Sequence, residues 1–322
     1  SKFKDRTNVS SLQQTVRRVD KAFQSFFRRV KLGQAGFPRF KKVLNSIEFI
    51  AGDGASMKVC KHTNIKAGKL YIQHVGKIKT VVHRELPKFY RVIVKYSNGD
   101  FYVSFVVDAD IKTLEPSNKA IGLDFGLKTF VTTSDGNGIE SPKFLKQNLK
   151  RLSKIISKRD KLAKGTKKRK HKSRIVQKIF KKVSNQRSDF NHKLSNRMVH
   201  ENGVIVVEDL DIKKLSSGII NNVNRTYNDI SWGQFTQMLS YKAASAGRKF
   251  IKVNPMDTSK MCSSCGKIHE LTLEDRVMNC PCGYTGNRDV NAAKNVLRLG
   301  LRSLDILRLG LQSLESQVVK PA

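Results

Sequence analysis

The sequence predicts a mixed α/β sheet domain over its C-terminal two-thirds, preceded by a region of short β-strands and an amphipathic helix. Three observations carry this. From residue 120 the apolar segments follow the order βββ-α-β-α-β-α, which belongs to a mixed sheet with helices laid on it. One of them, "GVIVVEDL", is continuous in Val and Ile, the pattern of a strand buried on both faces. Between residues 47 and 108 the chain instead alternates, or runs in β-branched and aromatic residues broken by turn signals.

Each element follows in order. "SSLQQTVRRVDKAFQSFFRRV" places Leu12, Val16, Val19, Phe23, Phe26, Phe27 and Val30 at helical spacing. Arg17, Arg18, Lys21, Arg28 and Arg29 fall on the other face. A helix this early, with no initiator Met, points to a start inside a larger helical subdomain, and "GQAGFPRFKK" ends it. "EFIAG", "KLYIQHV", "KTVVH" and "FYRVIVKYSNGDFYVSFVV" read as strands of a small barrel or a curled sheet, with Asn98-Gly99 as a two-residue hairpin turn. Cys60, after "SMKV", reads as an inert core thiol.

"DADIKTLEPSNKA" is a linker, and "AIGLDFGLKTFVTTSDGNGIES" supplies three strands separated by glycine turns. Lys143 to about Asn202 is a helical or paired-helical block with about twenty Lys/Arg, and "KGTKKRKHK" is the tip expected between two helices. After "GVIVVEDL", "ISWGQFTQMLSYKAASAG" is a helix in which Trp232, Phe235 and Tyr241 read as core. "KFIKVN" is a strand and "RDVNAAKNVLRLG" the last helix. The tail repeats "LRLGLRSL" as "LRLGLQSL" at a period of ten, a helical packing or partner segment without chemistry of its own.

The composition narrows the function. Sixty-two Lys+Arg against 26 Asp+Glu give a net charge of +36 in 322 residues, the footprint of a polyanion-binding protein and most simply of nucleic acid. No apolar run reaches the ~18–20 residues of a spanning helix and no signal peptide opens the chain. The basic block at 143–200 is either a solvated face or a phosphate track; one-sided charge of this size favours the track, with salt-sensitive, sequence-independent contacts.

Two constellations carry chemistry. Cys262-x2-Cys265 and Cys280-x-Cys282 are four thiols within 21 residues, metal arithmetic for a reducing compartment. Soft thiolates on two knuckles, backed by Gly266 and Gly283, suit a closed tetrahedral Zn²⁺ of structural type, with an iron–sulfur or adventitious site as the other readings. His269 is a spare and reads as a surface residue.

The second constellation is acidic. Asp124 ends the strand "AIGLD", Glu208 ends "VIVVE", and Asp289 stands in the first turn of the last helix. A carboxylate at the end of an apolar strand is costly unless a cation offsets it. Acids from two strand ends and one helix start can converge and hold two Mg²⁺ ions for phosphodiester hydrolysis. Taken alone, Asp289 is an ordinary helix-start residue. Alternation turns Asp209 away from Glu208. Arg288 either meets a scissile phosphate or forms a salt bridge. Phosphate loops, nucleophile elbows and H-E-x-x-H pairs are absent.

"GLDFGLKTF", "IVVEDLDIKKL", "WGQF…LSYKA", "TSKMCSSCG" and "CPCGYTGNRDVNAAKN" together resemble the TnpB (OrfB) proteins of insertion sequences, relatives of type V CRISPR nucleases, over about residues 10–300. The resemblance implies an RNase H-like (RuvC) nuclease domain with an inserted zinc ribbon, preceded by a β-barrel wedge domain and a partial helical recognition lobe. On that pattern 1–40 is the lobe, 41–117 the wedge, 118–255 the first part of the nuclease domain, 256–286 the zinc ribbon, 287–300 the last nuclease helix and 301–322 a helical tail. It places Asp124, Glu208 and Asp289 on the family's catalytic Mg²⁺-binding positions and the four cysteines on its zinc site. It implies an RNA-guided DNA endonuclease in a bacterial or archaeal cytoplasm, with a guide RNA and target DNA as partners. "GYTGN" would then return the chain from the ribbon to the main sheet. Such proteins usually begin with a further strand and helices, and carry Asp where this chain has Asn287. A DNA-binding transposase acting without RNA, and a nuclease-inactive nucleic-acid-binding remnant or regulator, are the alternatives.

Overall fold

The computed structural model describes residues 9–34, 36–41, 44–50, 63–66, 68–72, 74–97, 99–108, 110–211, 231–272 and 274–318, with the backbone alone at 63–66 and 306–318. Cys60 lies outside the described residues. The chain divides into two compact units, Ser1–Asp110 and Ile111–Ala322.

In the first unit, helix α1 (Val9–Lys31) precedes six strands: β1 (Ser46–Ile50), β2 (Thr63–Lys66), β3 (Lys69–Ile72), β4 (Gly76–Lys79), β5 (Phe89–Ser97) and β6 (Asp100–Val107). They pair antiparallel as β1-β5-β6 and β2-β3-β4. Among the described residues these are two small sheets around one core, Phe49, Leu70, Ile72 and Val92, and the pairing does not close into a barrel. The β5–β6 hairpin closes at Ser97↔Asp100, with Gly99 at φ +94°, the positive φ that a primed two-residue turn demands. "KTVVH" contributes only Lys79 to a strand; Val81 and Val82 are exposed. Helix α1 is fixed by its polar side: Arg18 donates to the Ser46 carbonyl at 2.8 Å and pairs with Glu48 at 3.5 Å. Its apolar stripe stays largely exposed, Val16 at 68%, while Phe23 and Phe26 meet Phe37 edge to face.

The second unit holds the predicted mixed sheet. Strands β7 (Ala120–Asp124), β8 (Thr129–Thr133), β9 (Gly138–Glu140), β10 (Val204–Glu208) and β11 (Lys249–Val253) pair in the order β11-β10-β7-β8-β9. Strand β10 runs parallel to both β11 and β7, flanked on each side as its continuous apolar run predicts, and β8 and β9 add antiparallel. Pleating divides its side chains between two cores. Ile121, Leu123, Ile205 and Val207 face helices α3 (Lys167–Glu201) and α4 (Trp232–Ser245). Val206 faces the other way, onto Val296 of helix α5 (Arg288–Val318).

Helix α5 lies unusually close to the sheet. A Cβ added to Gly122 would stand 2.3 Å from the Ala293 carbonyl, and one added to Gly300 would stand 2.4 Å from Val206. Gly122 is therefore required by backbone approach, and Gly300 by the branched Val206 side chain packed against it. This proximity brings the α5 N-terminus to the carboxyl ends of β7 and β10.

Helix α2 (Phe144–Asp160) and the first half of α3 form a hairpin with a small core of its own, Leu152, Val176 and Ile179. The turn between them is shorter than expected: Thr166 caps α3 by accepting from the Arg169 amide, so "KKRKHK" is already helix. Strands β12 (Val277–Asn279) and β13 (Thr285–Asn287) make a separate two-stranded sheet, so "GYTGN" leads into that small sheet and not back to the main one. Helix α5 then continues without a break to Val318. Among the described residues no helix is long and apolar enough to cross a membrane.

Candidate active site and cysteine cluster

Strand parity decides where the three acids point. Asp124 shares the face of Gly122, and Glu208 the face of Val206; both therefore lie on the side covered by α5. Asp289 stands in the first turn of that helix. Asp124 feels the charges of the other two, although among the described residues the three carboxylates are not gathered as tightly as the cysteine sulfurs are. Burial pushes the Asp124 carboxyl well above the usual carboxylate range, the charges of Glu208 and Asp289 push it further, and that of Arg288 opposes them. Burial likewise raises Glu208, which is 7% exposed, while a hydrogen bond from Thr258 opposes the rise. Two carboxyls raised by burial, one of them also by its acidic neighbours, form a negative centre that fits a bound divalent cation.

Several neighbours are assigned differently from the sequence reading. Asp289 is not consumed in capping α5, because the Asn287 side chain accepts from the Asp289 amide at 2.8 Å and the Val290 amide at 3.1 Å. Among the described residues Arg288 forms no carboxylate bridge. Its guanidinium donates to the carbonyls of Thr272 and Asp275, tying the α5 start to the loop before β12. Asp209 turns away from Glu208, as predicted, and pairs with Lys252 at 2.9 Å. Trp232 and Phe235 are core, but Tyr241 is 48% exposed. It lines a cavity of about 390 Å³ beside Glu208, together with Phe125, Trp232, Gln237 and Lys252.

The four cysteines converge. Their sulfurs lie within 4.8 Å of one another, the one group of three or more His, Cys, Asp or Glu so gathered among the described residues. Cys262 and Cys280 are buried, Cys265 and Cys282 exposed. The two knuckles share a backbone pattern. Gly266 N–H donates to the Cys262 carbonyl and Gly283 N–H to that of Cys280, and both glycines have positive φ, +83° and +88°. Such turns release backbone amides toward the sulfurs. The Tyr284 amide, with the neighbouring thiols, holds the Cys282 thiol down to about 7. At Cys280 the Cys282 amide pulls down, but burial and the other thiols push it up to about 12. Four soft ligands at this separation fit a tetrahedral zinc. His269 is more than a surface residue: its Nε2 lies 3.3 Å from the Cys280 sulfur.

Sequence reasoning missed the buried polar residues that join the two sites. Asn291 and Asn295 are wholly buried on α5. Asn291 accepts from the Ser263 amide and donates to the Met261 carbonyl. Asn295 donates to the carbonyls of Thr258 and Met261. Thr258 donates to Glu208 Oε1 at 2.5 Å. Two asparagines four apart, amid Ala292, Ala293 and Val296, are the signal available in the sequence. A buried helix face leaves amides there only if they bind something.

Two family models match this chain: OrfB of IS605, described as "Probable transposase", at residues 103–217, and the Cas12f1-like TNB domain at residues 232–296. A "Putative RNA-guided DNA endonuclease" of Streptomyces pristinaespiralis is 30% identical over 309 residues, covering 92% of this chain and 73% of its own length. The CRISPR-associated endodeoxyribonuclease Cas12f1 of Sulfoacidibacillus thermotolerans is 27% identical over 333 residues, covering 90% and 77%. Among solved structures, a Cas12f1-sgRNA-target DNA complex aligns at TM-score 0.46 and 19% identity, over 65% of this chain and 45% of that one.

Proposed function

Because the chain belongs to the TnpB/OrfB family, we propose that it is a transposon-associated, RNA-guided DNA endonuclease cutting phosphodiester bonds at Asp124, Glu208 and Asp289. The observation that carries this is the arrangement of those acids: three carboxyls on the α5 face of one sheet end, electrostatically coupled, in a chain of net charge +36. On this reading the β7–β11 sheet with its helices is an RNase H-like, RuvC-type nuclease domain, 118–255 and 287–300. The stretch 256–286 is a zinc ribbon that touches target nucleic acid, 41–117 a wedge, 1–40 part of a recognition lobe and 301–322 a helical tail.

Asp124, Glu208 and Asp289 would hold Mg²⁺, and Cys262, Cys265, Cys280 and Cys282 would hold a structural Zn²⁺. A pair of bound Mg²⁺ ions supplies an activated water and charge neutralisation at the leaving oxygen. The protein's own part is to aim the carboxylates from rigid elements and to bring a polyanion to them. The α2–α3 hairpin supports the second task, since its lysines and arginines outnumber its few acids and its separate core lets it stand as an arm. Guide pairing would read sequence, while these side chains grip backbone phosphate.

Two measurements test the reading together. Sequencing the RNA that co-purifies with the protein should yield one discrete species, and that complex should cut DNA complementary to it only when Mg²⁺ is present. A protein that carries no defined RNA yet cuts or joins DNA would be a transposase, and one that binds without cutting would be a regulator.

A further inference from the structure

We propose that Thr258 is the positioning residue that sets Glu208 for cation binding, fixed in place by Asn295 and the first cysteine knuckle. The inference rests on reading the three acids as cation ligands. Glu208 ends β10, where its carboxylate can turn about its own side-chain bonds. A ligand must instead be held in one orientation. The Thr258 hydroxyl does this, donating to Oε1 at 2.5 Å and leaving Oε2 for a cation.

That hydroxyl has one proton and two acceptors within reach, Glu208 Oε1 at 2.5 Å and the Pro255 carbonyl at 3.0 Å. The shorter contact to the charged acceptor is the stronger one. Thr258 is only 2% exposed, and its own carbonyl accepts from Asn295 at 2.9 Å. Asn295 also holds the Met261 carbonyl, one residue before Cys262, while Asn291 bonds Met261 and Ser263 on either side of that cysteine. The loop from Thr258 to Ser263 is thus bolted to α5, the helix that carries Asp289. One rigid body therefore fixes Asp289 directly and Glu208 through Thr258. This explains why wholly buried asparagines stand on a helix face otherwise made of small apolar residues.

The test is titration of the zinc-loaded full chain with Mn²⁺ by calorimetry, without nucleic acid, using Thr258→Ser, Thr258→Ala and Thr258→Val. Asp124→Asn identifies the titrated site as the one whose heat it removes. Zinc content, by mass spectrometry, is expected to remain one per chain throughout. The serine variant should bind Mn²⁺ within about twofold of the parent, and the alanine variant about tenfold more weakly. Valine, which keeps threonine's shape without the hydroxyl, should match alanine. In cleavage, the Mn²⁺ concentration for half-maximal rate should shift by the same factor, with the rate recovered at high Mn²⁺. Alanine and valine variants that bind like the parent would overturn the role of Thr258 alone, as would a serine variant as weak as alanine. A parent chain without the Asp124-dependent Mn²⁺ site would overturn the cation reading first.

Discussion

The cysteine cluster and the acid cluster are built by opposite routes. Four thiols come from 21 consecutive residues, and two matching glycine knuckles bring them within 4.8 Å. The three acids come from positions 124, 208 and 289, and only the sheet and α5 unite them. The energies differ in sign as well. Thiols gathered around a metal give a small, polar segment its folding energy. Buried carboxyls that repel one another cost folding energy, which the rest of the domain must supply.

The largest effect should come from the thiol side. Cys262→Ser removes a buried ligand, and zinc binding at four-cysteine sites is worth on the order of 10 kcal/mol of apparent free energy. Zinc content should fall from one per chain to near zero, with protease cleavage opening between residues 256 and 286. Retention of a full zinc equivalent would show that Cys262 is not a required ligand. On the acid side, Asp124→Asn should lower Mg²⁺-dependent cleavage by at least about 10³-fold, several kcal/mol of transition-state stabilisation, while leaving RNA and DNA affinity unchanged. Full cutting by this variant would end the assignment of Asp124.

The same substitution should move stability in the other direction from Cys262→Ser. The folded Asp124 carboxyl titrates well above its ordinary 3.8, so between that value and its folded pKa the folded state binds more protons than the unfolded one. Stability from this group is present below about pH 4 and is lost as pH rises through the folded pKa. In Mg²⁺-free buffer at neutral pH, Asp124→Asn should therefore raise Tm, by about 2–4 °C for each kcal/mol recovered in a unit of this size. The gain should shrink toward acid pH, and saturating Mg²⁺ should restore the parent's lead. A variant less stable than the parent at every pH would place the Asp124 charge among the stabilising contacts.

This contrast also explains what was legible in advance. The thiol site could be read from spacing, since its geometry is local. The acids could be read because each ends an apolar strand or opens a helix, and because β10 advertises its central place with unbroken Val and Ile. The βββ-α-β-α-β-α order followed from the same periodicities. What stayed hidden depends on packing between distant segments. Nothing local to Arg288 shows that it spends its guanidinium on the Thr272 and Asp275 carbonyls. Nothing local to Gly122 shows that its missing side chain admits the Ala293 carbonyl. Tyr241 is expected in the core with Phe235, yet it lies six residues on, on a different face, and lines a cavity.

Asn287 gives the smallest and most discriminating effect, because it stands where both kinds of energy meet. It caps α5 through the amides of Asp289 and Val290, so Asn287→Ala should cost about 1 kcal/mol, a Tm loss of a few degrees with cleavage retained. Asn287→Asp poses the sharper question. Aspartate caps as well as asparagine, and its charge is favoured by the helix dipole by ~0.3–1 kcal/mol. Against this stands the repulsion of a fourth carboxylate near three others. Asn287 is exposed, so water screens that repulsion more than the dipole contact it makes within the first turn. Stability should then change by no more than a few tenths of a kcal/mol in either direction, and Mg²⁺ should add slightly more Tm than it does to the parent. A clear loss of stability in Mg²⁺-free buffer, reversed by Mg²⁺, would mean that the acid cluster reaches out to residue 287 and is already at the limit of the negative charge this sheet end can hold.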